Sequence, residues 1–316
     1  MSEGYDTFIS KINSDNISSI SRRQSELQEM RVIELYELAD CLVAPIFELN
    51  QDGMSINEIL TYISEYVILP LSQVHSDALG ANQQKLSHYL GVLSSIDRSV
   101  FADFLIDRLN NEGLAISEKD FLPGNDISET FIYLKNPLAD EAFDVFSVNF
   151  TDPRLRYATS VKDVAKAVFD GEATYGLLPL EESGGERLHL ASELIYRYDL
   201  KINGVTPVFG LDGLADMKYA LVSRRFNVPA IESGDDSYLE IRVSDDTSLS
   251  EILGVAEYFG CTVFRIKSEC FSADDERENC YSLVLKKEEG DFVKILGFLT
   301  MFIKTCVFVG IYKNLE

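Results

Sequence analysis

From about Ser18 to Asn110 the apolar residues recur every three or four positions. Beyond a turn rich in Pro, Gly, Asn and Asp the period switches between helix and strand, so one uniform architecture cannot account for the whole chain. In the first region Leu35, Leu38, Ala39, Leu42, Val43 and Ile46 fall on one helical face, and Pro45 predicts a kink or an end. Ser55 and Glu58 have the spacing of a capping box ahead of Ile56, Ile59, Leu60, Ile63 and Val67, with Pro70 near the end of that helix. Leu86, Tyr89, Leu90 and Leu93 form a third stripe. Phe101, Phe104, Leu105 and Leu109 form a fourth, closed by Asn110, Asn111 and Gly113. The segment from Phe121 to Ser128 holds Pro123, Gly124, Asn125 and Asp126, which is turn chemistry at a domain boundary.

After the turn, short strands are expected over Phe131 to Leu134, Tyr175 to Leu180 and Ile202 to Val208, with helices over Ser160 to Phe169 and Leu190 to Tyr198. From Ser233 onward Leu239, Ile241 and Val243 alternate with Glu240, Arg242 and Ser244, the pattern of a half-buried strand. Ser248 and Glu251 have capping-box spacing, and Gly260 stops that helix. A strand over Thr262 to Ser268, an acidic tip at Asp274 to Glu278, a strand over Cys280 to Lys286, a helix capped by Asp291 and a strand over Cys306 to Tyr312 complete a βαββαβ order. This is the ferredoxin-like arrangement.

At 316 residues the chain is long enough for about two domains of ordinary size. Twenty-eight basic against 52 acidic residues give a net charge of −24, a field that repels phosphate backbones and anionic lipids and disfavours nucleic-acid binding. No apolar run reaches the roughly 20 residues a bilayer span needs, because Lys304 interrupts Phe298 to Tyr312. The polar start, Met1 to Asp15, lacks the basic-then-apolar order of a secretory signal, so a cytoplasmic protein is expected. Cys41, Cys261, Cys270, Cys280 and Cys306 show no Cys-x-x-Cys spacing and are expected to be reduced and mostly buried. His75, His88 and His189 form no ligand pair, and the acidic tip lacks the spacing of a calcium loop, so neither metal nor cofactor is expected. Gly184-Gly185 reads as a turn, and neither a nucleotide-binding glycine motif nor a serine-nucleophile elbow occurs.

The stretch SVKDVAKAVFDGEATYGLLPLEESGGERLHLASELIYRYDLKING, Ser160 to Gly204, resembles the prephenate dehydratase family through Gly171, Glu172, Ala173, Tyr175, Gly176, Pro179, Glu181 and Ser183 in order. The βαββαβ unit behind it is similar to the phenylalanine-sensing ACT domain that members commonly carry there. The resemblance runs from about Thr130 to Glu316. It implies decarboxylation and dehydration of prephenate to phenylpyruvate in a cleft between two subdomains, a lyase reaction that needs an acid for the leaving hydroxyl and fixed groups for the carboxylates.

The chain departs from that pattern at the positions that matter. Where the family has Glu-Asn-Ser it has Glu181-Glu182-Ser183, and where the family has Thr-Arg-Phe it has Lys218-Tyr219-Ala220. Only Phe209 to Asp216 stands where the family inserts its second subdomain, so one wall of the cleft is missing. In the ACT-like unit, Thr247-Ser248 replaces a Pro-Gly turn, and Lys267-Ser268-Glu269-Cys270 replaces Glu-Ser-Arg-Pro. Ile96-Asp97-Arg98 and Arg108 resemble, faintly, the first helix of chorismate mutase.

The fold expected is α+β and multidomain: a helical region over 1–125, a truncated dehydratase-like α/β unit over 126–233 and an ACT-like regulatory domain over 234–316. Glu181, Ser183 and Lys218 are the remnant catalytic candidates. Thr247, Ser248, Leu249, Ser268 and Glu269 are the ligand-binding ones. Two functions follow: a degenerate relative that binds a small metabolite or regulates, as a homodimer through the ACT-like domain, or an active dehydratase whose helical region rebuilds the wall.

Overall fold

The computed structural model describes residues 14–68, 81–122, 124, 129–182, 185–210, 215–226, 237–273, 276–288 and 290–315. Pro70, His75, most of the expected boundary turn, Ser183, Asp274 and Asp275 lie outside the described residues.

The first third is helical: α1 (Ser14–Gln51), α2 (Ile56–Ile63) continuing into a π-helical turn (Ser64–Ile68), α3 (Ala81–Gly91), α4 (Ser95–Asn111) and the single turn α5 (Glu118–Phe121). Ser55 and Glu58 form the expected reciprocal cap of α2. Pro45 neither ends nor interrupts α1, which runs six residues further. The missing N–H removes one backbone bond, but Leu42, Val43 and Ile46 on either side are buried and hold the helix in line. Tyr89, expected on a buried stripe, is 59% exposed, while Leu90 and Leu93 carry the packing.

The rest of the chain builds one nine-stranded mixed sheet. Its first part is β1 (Thr130–Leu134), α6 (Pro137–Ser147), β2 (Arg154–Ala158), α7 (Val161–Phe169), β3 (Tyr175–Glu182), α8 (His189–Arg197), β4 (Lys201–Val208) and β5 (Met217–Ser223). Its second part is β6 (Ser237–Ser244), α9 (Leu249–Tyr258), β7 (Cys261–Ala273), β8 (Glu276–Lys287), α10 (Phe292–Phe302) and β9 (Val307–Lys313). The order across the sheet is β2-β1-β3-β5-β4-β9-β6-β8-β7. β4 and β5 are antiparallel neighbours joined directly through residues 209–216, where the resemblance calls for a second subdomain.

The sheet is continuous because β9 pairs in parallel with β4 at Ile202 and Gly310. A Cβ on Gly310 would stand 2.8 Å from Ile202 Cβ and 3.1 Å from its carbonyl oxygen, so the approach of these two strands needs a glycine. One edge of the βαββαβ unit is therefore paired within the chain, and only β7 is left as its outer edge.

The helical face of that unit is also covered. Leu35, Ile46, Leu60, Phe101 and Ile106 share a single core with Leu239, Ile241, Leu283, Phe292, Leu296 and Phe298. Phe101 packs edge-on against Phe302 at 6.1 Å, and Arg98 lies over the same ring while pairing with Glu251 at 3.1 Å. This explains two departures from the sequence reading. Glu251 does not cap α9, because it is committed to Arg98. Ser248 makes no capping hydrogen bond, its hydroxyl lying 2.9 Å from that of Ser250.

Among the described residues no helix is long and apolar enough to cross a membrane. Cys41 and Cys270 are exposed, contrary to the expectation of mostly buried thiols, whereas Cys261 and Cys280 are buried.

Two outcomes are expected. Phe101→Ala should cost about 3–5 kcal/mol, since it opens a void where the helical region meets the βαββαβ unit, and should lower a single cooperative urea transition. A thiol reagent read residue by residue in mass spectrometry should label Cys41 and Cys270 in the native protein. Burial pushes the Cys261 and Cys280 thiols up to about 11, so they should label only on unfolding.

Candidate functional site

β3 ends in a tight reversal. The register shifts between Pro179 and Glu181, Leu188 N–H returns to the Leu180 carbonyl at 2.9 Å, and Glu181 bridges Arg187 across the turn. This bulge and reversal push two charged side chains of opposite sign, Glu181 and Arg187, into the interior, where only 4% and 7% of their surfaces are exposed. Buried charges persist only when paired, and each finds its partner on another strand.

Glu181 holds two cations. Lys218 of β5 stands 3.1 Å from Oε2, and Arg265 of β7 stands 2.6 Å from Oε1. Arg187 forms a two-pronged pair with Glu240 of β6: Nη2 donates to Oε2 at 2.9 Å, and Nη1 meets Oε1. The Tyr312 hydroxyl of β9 donates to the same Oε2 at 3.1 Å. Burial works against the Arg187 cation, but the charge and hydrogen bonds of Glu240 outweigh it and hold the guanidinium protonated above its ordinary range. Burial, reinforced by the Glu240 charge, raises the Tyr312 phenol well above its ordinary range, so it stays a donor.

β7 supplies the other wall. A register shift between Val263, which packs on the apolar core, and Arg265 turns the strand over. Arg265 reaches Glu181, and Lys267 stands 3.5 Å from Glu269. Glu269, Phe271 and Arg242 then line a recess with Arg187, Ser192, Glu240 and Ser282 that holds roughly one water molecule. Tyr196 of α8 stacks on Phe271 at 4.3 Å with Arg242 4.5 Å over its ring, and its hydroxyl donates to Glu278, which pushes the phenol up to about 12.

Among the described residues Arg187 Nε, Ser192 Oγ and Glu269 Oε1 have no hydrogen-bond partner, and all three residues line this recess. Two cationic side chains line it, Arg187 and Arg242, against two carboxylates, Glu240 and Glu269.

The structure thus brings together Glu181, Lys218 and Glu269, candidates drawn from two separate stretches. It does not bring in the others. Ser268 is exposed, one position out of phase with Glu269. Thr247 lies 3.0 Å from the Thr305 hydroxyl, and Leu249 packs into the helical core. Asp97 and Arg108 of α4 are spent on α1, pairing with Arg31 at 3.3 Å and Asp40 at 2.8 Å.

Sequence reasoning missed Arg187, Glu240, Arg265 and Tyr312. Glu240 read as the outer residue of a half-buried strand, yet it is 1% exposed because the reversal after β3 and α8 cover that face. An arginine four residues past the Glu-Glu-Ser turn was the available signal.

No family model matches this chain, and no curated protein does. Among solved structures, a prephenate dehydratase from Streptococcus mutans overlaps 60% of this chain and all of its own at 13% identity and a TM-score of 0.48. A prephenate dehydratase from Arthrobacter aurescens in complex with L-Phe overlaps 58% of this chain and 90% of its own, at 15% and 0.44. GqqA, titled a novel type of quorum-quenching acylase, overlaps 59% and 96%, at 17% and 0.43. Likeness at these scores assigns a role to no residue of this chain.

Removing one partner of the enclosed pair should be costly. Glu240→Gln leaves the Arg187 charge buried and is expected to destabilise by about 3–5 kcal/mol, whereas the double change Arg187→Met with Glu240→Leu should be near neutral. Urea unfolding of both variants checks this.

Proposed function

We propose that this chain is a prephenate dehydratase-like protein in which the catalytic positions have become structural ion pairs, and that it binds a small metabolite in a regulatory role in the cytoplasm. On this reading residues 1–125 form a helical domain, 126–233 a truncated dehydratase-like unit and 234–316 an ACT-like domain. The observation that carries the proposal is the state of Glu181. Its Oε1 pairs with Arg265 at 2.6 Å and its Oε2 stands 3.1 Å from Lys218, so the carboxylate is engaged in ion pairs between strands.

The direct junction of β4 to β5 supports the same conclusion, because catalysis of this kind needs groups held on both sides of a closed cleft. The competing reading, an active dehydratase completed by the helical region, needs those helices beside Glu181. They pack on α9 and α10 instead.

The ligand class follows from the unsatisfied donors. Arg187 Nε and Ser192 Oγ, both without a hydrogen-bond partner, favour a small molecule that offers them an acceptor oxygen such as a carboxylate's. Binding would have to widen a recess that holds about one water. Phenylalanine itself is disfavoured, because Thr247-Ser248 places Cβ atoms where the ACT glycine leaves the backbone open. A second copy pairs through the outer edge of β7, the one edge of the ACT-like unit not already used within the chain.

Purified protein given prephenate should form no phenylpyruvate above the uncatalysed rate, and calorimetry with phenylalanine should show no saturable tight binding. Robust phenylpyruvate formation, abolished by Glu181→Ala or Lys218→Ala, would overturn the proposal.

A further inference from the structure

Between Ile20 and Met30, α1 packs on no other described element. α1 and α4 lie side by side in parallel, tied by Arg31 to Asp97, Tyr36 to Phe104 and Asp40 to Arg108. Because α4 begins at Ser95, beside Arg31, the part of α1 ahead of Arg31 runs past it. Every residue from Ile20 to Met30 is exposed. Ile20, Leu27 and Met30, at 54%, 64% and 59% exposure, present large apolar side chains to water there. The overhang from Ile20 to Met30 is about 17 Å long, and no described element packs against it.

Its residues have a second regularity. Ile20, Arg23, Leu27, Met30, Glu34 and Glu37 follow the alternating three-and-four spacing of the first and fourth positions of a heptad, all six exposed. They lie to one side of the face that Leu35, Ala39 and Leu42 bury, so the seam stays open where the helix joins the core.

We infer that this seam pairs with the same seam of a second copy, antiparallel, about a two-fold axis between residues 28 and 29. In that register first positions face fourth positions. Leu27 meets the partner's Met30, Arg23 meets the partner's Glu34, and Ile20 lies along the aliphatic stem of the partner's Glu37. Each contact occurs twice by symmetry.

The charges select the direction. A parallel pair sets Arg23 against its own copy, and Glu34 and Glu37 against theirs, three like-charge contacts. The antiparallel pair replaces the first two with opposite-charge contacts. Glu34 already lies 3.2 Å from Arg31 of its own helix, and pairing brings the partner's Arg23 to the same carboxylate. This contact is independent of the β7 edge and of the metabolite reading, since it uses neither.

The test is the assembly mass of the full-length protein by light scattering and sedimentation velocity, at tens of micromolar. Arg23→Glu, Glu34→Arg and Leu27→Asp are each expected to halve the mass while leaving the circular dichroism spectrum unchanged. Arg23→Glu combined with Glu34→Arg should restore it, because the opposite-charge contacts are rebuilt with signs exchanged. A parallel pair would gain nothing from that exchange. Unchanged mass in the single variants, or no recovery in the double, would overturn the proposal. An edge-breaking lysine pair on β7 that alters the mass by itself reports on the sheet contact alone.

Discussion

Two ion pairs, the buried Arg187 with Glu240 and the buried Glu181 with the half-buried Arg265, fix how the halves of the sheet meet. Charges taken out of water are tolerated only with a well-placed partner, and in each pair the partners come from stretches 53 and 84 positions apart. A slip of one residue in β6 would turn Glu240 to the other face and leave the Arg187 charge bare inside, and a slip in β7 would take Arg265 away from Glu181. The pairs therefore specify register more than they add stability. The parallel contact of β4 with β9, possible because Gly310 has no side chain, completes the join along the backbone.

Apolar packing then builds outward from this frame. The helical first third serves as the outer layer over α9 and α10, and the two share one core. The βαββαβ unit is accordingly enclosed on its helical face and on one edge, which leaves β7 as its outer edge.

Much of the element order was legible in the sequence, because it rests on local signals. The Ser55–Glu58 cap, the Asp291 cap, the Gly260 stop and the alternation of β6 all depend on residues a few positions apart. What sequence alone could not show depends on distant neighbours. Glu240 and Arg265 look like outward-facing residues until the turn after β3 is laid over them, and Ser248 looks like a cap until Arg98 claims Glu251. The candidate site was half legible. Glu181, Lys218 and Glu269 stood out by resemblance, but their convergence needed the β7 register shift that no local pattern announces.

The central claim is that Glu181 is now part of a structural ion network linking the two halves. A double-mutant cycle of Glu181→Gln and Arg265→Met, read by urea unfolding, tests it most directly. The account predicts a coupling energy of about 1–3 kcal/mol, as expected for groups in one network. Additivity to within about 0.3 kcal/mol would contradict it, showing that the two side chains stand near one another without holding the sheet together.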